Sequence, residues 1–195
     1  MTIYIRLLRK EANQMYRPGM FQARSLFAAL ILLCAAQLLV SAQSKNPCMY
    51  SAEARQFDFW IGEWDVFNPQ GRKDGTSVIQ RFANGCGILE NWTSALGGSG
   101  KSINFYDPQA AKWFQYWIGA DGNPQRYSGV YRDNAIRYEG EPHTQNGKTI
   151  MTRLTFFNLD ANTVRQLSER SDDGKTWTVN YDYKYVRRNQ AKEQR

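Results

Sequence analysis

The chain has 195 residues, 42% of them hydrophobic, which is enough for one domain with its own core. Its net charge of +7 comes largely from the front. Residues 1–42 hold five of the 25 Lys and Arg and one of the 18 Asp and Glu, which leaves 20 and 17, a net charge of +3. So small an excess argues against nucleic-acid binding, and we predict no nucleic-acid partner.

The front segment has the three parts of a secretory signal peptide. Residues 26–40 are apolar except for Gln37, basic residues precede them, and small residues follow up to Ala42. This pattern predicts that residues 1–42 are removed on export, which leaves a periplasmic or extracellular protein without stable membrane insertion. A start at Met20 would give a shorter basic leader. The alternative is an uncleaved anchor, although the apolar run falls short of the about 20 residues of a membrane span.

Two cysteines remain once Cys34 is removed with the signal. Cys48 and Cys86 form an even pair, which in an oxidising compartment predicts a disulfide. On the chain-entropy account, a bridge closing a loop of this length stabilises the fold by about 4 kcal/mol. The alternative is two thiols, each buried separately.

Residues 43–56 are predicted to form a flexible leader and a short helix, which Ser51 would cap. From Gly62 onward, strand patterns alternate with turn sequences such as Asp-Gly and Asn-Gly. Ten short strands with little helix predict an all-β, antiparallel up-and-down barrel over residues 57–188, with a sandwich as the alternative. Residues 189–195 form a basic tail. The predicted strands are 63–67, 76–82, 88–93, 101–106, 112–118, 126–131, 135–141, 149–157, 163–171 and 177–188.

Several stretches resemble a known family. They are FDFWIGEWDVF at 57–67, GCGILENW at 85–92, KSINFYDPQAAKWFQYW at 101–117, VRQLSERSDDGKTW at 164–177 and YDYKYVRR at 181–188. They resemble the secreted bacterial lipocalin-like family catalogued as domain of unknown function 1579, over roughly residues 48–188. The resemblance implies a calycin-type β-barrel and brings no activity with it. The second lipocalin motif, of the T-D-Y type, is absent, so kinship to the true lipocalins is one of fold.

The first and last strands must pair to close such a barrel, and this predicts a contact at one end. Gly62 and Trp64 form the Gly-x-Trp that opens lipocalin-type barrels, where the Trp plugs one end. One face of the last strand is expected to carry Trp177, Val179, Tyr181, Tyr183 and Tyr185. Arg187 follows in the same alternation and lies on the same face. We therefore predict the Arg187 guanidinium over the Trp64 indole, a contact worth roughly 0.5–2 kcal/mol.

Polar side chains interrupt the aromatic strands and are candidates for a ligand site. A barrel of this size has room for one small ligand, lined by aromatic rings and a few convergent polar groups. The predicted ligand-binding residues are Glu90, Trp92, Gln115, Trp117, Arg153 and Gln166. Two alternatives stay open: the polar residues face outward, or Glu90 and Arg153 form an internal ion pair that only satisfies itself.

The sequence contains few of the side chains and motifs that nucleophilic catalysis or metal binding requires. The chain has one histidine, His143, and neither a C-x-x-C nor a G-x-S-x-G motif. We predict no metal, no cofactor and no catalytic residue, and favour a carrier or sensor of a small apolar or amphipathic molecule. The alternatives are an enzyme in the same cavity, with Glu90 transferring protons and Arg153 stabilising negative charge, and a non-binding cell-envelope interaction module whose barrel is filled.

Overall fold

The computed structural model describes residues 47–188. The predicted signal peptide, the start at Met20, the leader before Pro47 and the tail at 189–195 lie outside these residues. Within residues 47–188, no helix has the length and apolar character needed to cross a membrane.

Within residues 47–188, helical structure is limited to short segments before the first strand and one later turn. They are α1 (Pro47–Tyr50) and the 3₁₀ helices η1 (Glu53–Arg55), η2 (Asp58–Trp60) and η3 (Ala83–Gly85). The strands are β1 (Gly62–Phe67), β2 (Lys73–Phe82), β3 (Gly87–Ser94), β4 (Ser99–Asp107), β5 (Lys112–Gly119), β6 (Pro124–Arg132), β7 (Ala135–Gly140), β8 (His143–Gln145), β9 (Lys148–Asp160), β10 (Thr163–Ser171) and β11 (Thr178–Arg187).

Ten strands form a closed antiparallel barrel. Each pairs with its neighbour in sequence, β7 pairs with β9, and β11 pairs with β1 to close the circle. The predicted all-β, up-and-down barrel is confirmed. The additional strand, β8, is a three-residue extension that pairs with β9 outside the ring. It was not predicted, because all of its side chains are exposed and leave no alternating pattern in the sequence.

One half of the barrel is filled by a plug of aromatic rings from the segment before β1. Phe57 and Trp60 stack with their centroids 4.9 Å apart, and both are fully buried. Phe156 of β9 meets both, at 5.0 Å from Phe57 and 4.6 Å from Trp60. Burying an aromatic side chain of this kind stabilises a fold by about 2–3 kcal/mol. The run of apolar residues before Gly62 is therefore part of the core.

Arg187 closes the same end. Its guanidinium lies 4.2 Å from the centroid of the Trp64 ring, which is the contact expected from strand closure. It also donates hydrogen bonds to the carbonyls of Ile61 and Ala161, both at 2.9 Å. Gly62 adopts a φ of +139°, and any β-carbon there would collide with the Arg187 guanidinium. Glycine is therefore required at the entry to β1.

A disulfide and an ion pair fix the plug to the barrel wall. Cys48, in α1, is bonded to Cys86, which lies between η3 and β3. The disulfide predicted from the cysteine pair is thus present. Asp58, in η2, forms an ion pair with Arg81 of β2, and Arg81 also donates to the Gly85 carbonyl at 2.9 Å. The closed end is therefore held by covalent and polar contacts as well as by packing.

A β-bulge corrects the predicted face of the last strand. Ser168 pairs with Tyr181, but the next residue, Glu169, pairs with Val179, so that Asn180 is an extra residue in β11. An extra residue reverses the alternation on one side of the bulge. Tyr181 continues the inner row, whereas Val179 is 61% exposed. The prediction that Val179 and Trp177 share the inner face with the tyrosines is therefore wrong.

Candidate functional site

The half of the barrel opposite the plug contains a cavity of about 210 Å³. Leu154 and two indole rings contribute to its wall, together with four tyrosines and five other polar residues. Gln125 and Asn180 are exposed and mark its mouth, whereas Glu90 lies at its base and is 2% exposed. The full lining is Glu90, Trp92, Gln115, Trp117, Gln125, Tyr127, Leu154, Gln166, Asn180, Tyr181, Tyr183 and Tyr185.

The Glu90 carboxylate is held by hydroxyl groups from neighbouring strands. Ser77 of β2 donates to one oxygen at 3.0 Å, and Ser102 of β4 donates to the other at 2.8 Å. Both serines are buried. The inward positions of three adjacent strands therefore converge on a single carboxylate.

Behind Ser102, a chain of amides continues the network around the barrel. Gln115 donates to the Asn104 side-chain oxygen at 2.9 Å, and the Asn104 amide donates to the Ser102 hydroxyl at 3.0 Å. Tyr138 donates to the same Asn104 oxygen at 3.3 Å. Each donor in this chain points toward Glu90. Such a relay polarises successive hydrogen bonds and favours an acceptor at its end.

Tyr185 and Gln166 border Glu90 on its other side. The Tyr185 hydroxyl lies 2.7 Å from the Gln166 side-chain oxygen, to which it donates, and 3.5 Å from Glu90 Oε1. Because that hydroxyl proton goes to Gln166, the Tyr185 oxygen can accept a proton from Glu90 in its acid form. Both protonation states of Glu90 thus have partners in the same arrangement of side chains.

Burial raises the pKa of Glu90 to about 7, and the hydrogen bonds from Ser102 and Ser77 only partly oppose this rise. Burial also raises the pKa values of Tyr127, Tyr181, Tyr183 and Tyr185, so that these phenols stay neutral. Glu90 is therefore the one residue of the cavity lining that changes charge near neutral pH.

Aromatic rings form the wall between Glu90 and the mouth. Trp92 stacks on Tyr183 with centroids 6.0 Å apart, and Tyr183 stacks on Tyr181 at 4.8 Å. Trp117 adds a second indole. Glycines on adjacent strands make room for both: a β-carbon at Gly75 would collide with Trp92, and one at Gly100 with Trp117.

Five of the six predicted site residues meet at this cavity. Glu90, Trp92, Gln115, Trp117 and Gln166 all line it. Their alternation with outward residues was visible in the sequence. The hydroxyls of Ser77 and Ser102 were not predicted, because serines at strand positions are common and only the strand register brings them to Glu90.

Arg153 is the exception, and its expected inward position is wrong. It is exposed on the outer face of β9, where its guanidinium lies 3.7 Å from the centroid of Trp177. Its direct cross-strand neighbours are Glu139 and Glu169. An internal ion pair between Glu90 and Arg153 does not exist.

Metal binding has little support in the described part of the chain. Between residues 47 and 188, no group of three or more His, Cys, Asp and Glu side chains could hold a metal ion. His143 is exposed on β8, outside the barrel ring.

No model of a known protein family matches the chain, and no curated protein gives a significant match.

Proposed function

We propose that this protein is an exported member of the lipocalin-like family that its motifs resemble. It binds a small amphipathic molecule in the open half of its barrel and acts as a carrier or sensor. The observation that carries the proposal is the cavity of about 210 Å³ between the aromatic wall and the buried Glu90 network. A cavity with apolar walls and a few convergent polar groups is the usual form of a small-molecule site.

The Cys48–Cys86 disulfide supports export. Disulfides persist in the periplasm and outside the cell, and they are rare in compartments that keep thiols reduced. Together with the signal-like segment at residues 1–42, this pairing favours a periplasmic or extracellular site of action.

The placement of side chains favours binding over the alternative functions. An enzyme that stabilises negative charge through Arg153 lacks that group in the cavity, because the side chain is on the outer face. An interaction module with a filled barrel would have no space beside Glu90, Trp92 and Trp117. Among residues 47–188, Glu90 contacts hydroxyl groups and no cation, which suits it to recognise a polar atom of a ligand.

Native mass spectrometry of the protein purified from its own cell envelope tests the proposal. We expect a mass excess that corresponds to one small molecule and disappears on denaturation. Ligand addition to the stripped protein should then quench tryptophan fluorescence. A protein that carries no ligand, and whose fluorescence responds to no candidate small molecule, would contradict the proposed function.

Matched tryptophan variants locate the binding site. Trp92→Phe and Trp117→Phe each remove an indole from the cavity wall and should reduce the ligand-dependent change in fluorescence. Trp177→Phe removes an indole that contacts Arg153 on the outer face, and it should leave the change intact. Equal responses of all three variants would place the ligand elsewhere.

A further inference from the structure

Among the described residues, the only charged side chain that lines the cavity is an acidic one. Glu90 is the only acidic residue in the lining, and within the described chain the lining contains no Lys, Arg or His. The nearby polar groups are neutral amides and hydroxyls, and their hydrogen bonds run toward the Glu90 carboxylate. Above about pH 7, a ligand that enters this cavity meets one negative charge, and no positively charged side chain of the lining compensates it.

The wall beside that charge consists mainly of aromatic rings. Trp92, Tyr183 and Tyr181 form a continuous stack, and Trp117 supplies a further indole. Indole and phenol faces carry negative electrostatic potential, and their attraction to an ammonium group grows when water is excluded. Aromatic cages with a nearby carboxylate are a recurring solution for binding organic ammonium ions.

We propose that the cavity selects small organic cations, in which a protonated or quaternary amine is attached to an apolar body. This inference rests on the proposed function and specifies the ligand class of the same site. The ammonium group faces the Glu90 carboxylate, and the apolar body lies against Trp92 and Trp117. The expectation that Arg153 would bind a ligand carboxylate is replaced by the opposite charge preference.

Other ligand charges fit the same groups less well. A carboxylate ligand would force Glu90 to take up a proton or would leave two negative charges together in a buried site. A neutral alcohol can hydrogen-bond to Glu90, but it gains neither the ion pair nor the attraction of the ring faces. Only a cation is attracted by both features of the cavity.

The test uses three probes of matched size: phenethylamine, 2-phenylethanol and phenylacetate. Binding to the stripped full chain is followed by tryptophan fluorescence at about pH 8, where a carboxyl group with a pKa of about 7 is mostly ionised. We expect phenethylamine to bind about tenfold more tightly than the alcohol, and phenylacetate to bind most weakly. Affinity for the alcohol that equals or exceeds that for the amine would overturn this inference and leave the proposed function standing.

Two variants test whether Glu90 causes the preference for cations. Glu90→Gln keeps the size of the side chain and removes its charge, so affinity for phenethylamine should fall about tenfold while affinity for the alcohol stays within about twofold. Arg153→Met changes a charge on the outer face and should leave the ratio of the two affinities unchanged. An unchanged affinity of Glu90→Gln for phenethylamine would contradict the inference.

If Glu90→Gln does not fold, the role of the Glu90 charge can be tested on the unmodified protein by changing the pH. Lowering the pH to about 5.5 protonates most of a group with a pKa of about 7, so phenethylamine should bind more weakly than at pH 8 by a factor that approaches about ten, the loss expected for Glu90→Gln. Affinity for 2-phenylethanol should change little. Equal pH dependence of the two probes would overturn the inference. If none of the three probes binds, the cation preference is wrong, and the mass spectrometry alone then decides on the proposed function.

Discussion

The Tyr185 hydroxyl lies 3.5 Å from Glu90 Oε1, although the two residues belong to strands separated in the barrel by β1 and β2. Their contact therefore crosses the interior of the barrel. It lies where the filled half meets the open half, because Tyr185 also packs against Trp60 and Trp64 of the closed end. The plug and the cavity thus share one side chain.

The first prediction concerns stability and pH. The pKa of Glu90 is raised from 4.5 to about 7 in the fold, so between these values the folded state binds more protons than the unfolded state. The contribution of Glu90 to the free energy of unfolding is then largest below about pH 4.5. It falls by up to about 3 kcal/mol as the pH rises through 7. The surrounding tyrosines stay neutral in this range and do not oppose the change.

Glu90→Gln should remove this component of the pH dependence. At about pH 8 the variant should unfold at a higher denaturant concentration than the unmodified protein, because it buries no charge. Near pH 4.5 the two should be similar. Parallel pH profiles of the unmodified protein and the variant in urea would show that Glu90 is not the buried titrating group.

The second prediction concerns the closed end. Arg187→Lys retains the charge but loses the planar stack on Trp64 and the paired donation to the carbonyls of Ile61 and Ala161. We expect a loss of about 1–3 kcal/mol in the free energy of unfolding. Arg188→Lys is the control: Arg188 contacts Asp65 at 2.8 Å, an ion pair that lysine can retain. Equal and negligible shifts of the two melting temperatures would mean that the Arg187 contact adds no stability.

The third prediction concerns the glycine beneath Trp117. A β-carbon at Gly100 would overlap the Trp117 ring and approach the carbonyl of Ile118 at 3.0 Å. Gly100→Ala should therefore displace the indole, shift its fluorescence emission and weaken ligand binding, with a cost of about 1–3 kcal/mol in stability. Gly98→Ala is the matched control, since the nearest atom to its β-carbon is 3.7 Å away, on Ser94. Identical emission spectra of the two variants would contradict this account of the wall.

The fourth prediction concerns the disulfide. Replacing both Cys48 and Cys86 by Ser should lower the free energy of unfolding by up to about 4 kcal/mol, because the loop between them is no longer closed in the unfolded chain. Reducing agent should lower the melting temperature of the unmodified protein and leave that of the double variant unchanged. If both thiols of the native protein react with an alkylating agent before reduction, the bridge is absent in solution.

The barrel could be predicted from the sequence, and so could which residues share a strand face. Glu90 alternates with Ile88 and Trp92, and Gln115 with Trp113 and Trp117. The other face of β5 carries Phe114, Tyr116 and Ile118, so alternation alone did not show which face was inside. Arg153 lies beside three consecutive buried residues, Leu154, Thr155 and Phe156, so alternation alone assigns no face there. Nothing in the sequence marks the extra residue at Asn180.

The plug was harder to predict because its segment forms a short helix inside a β protein. The short 3₁₀ helix η2 places Phe57 and Trp60 in the core, and so brief a segment carries no helical period. The chemistry of the cavity was missed for a similar reason. It depends on hydroxyl groups that only the register of β2, β3 and β4 brings to Glu90.

The concentration of covalent and aromatic contacts at one end has a consequence for how this protein can change. Substitutions around the mouth, near Gln125 and Asn180, leave three features of the closed end unchanged. These are the disulfide, the plug and the contact of Arg187 with Trp64. The residues at the mouth are therefore distinct from those that hold the closed end, and a stable scaffold tolerates variation at such a surface. The same separation makes the barrel a candidate framework for engineered receptors, in which Trp92 and Trp117 line the cavity and would report on a bound molecule.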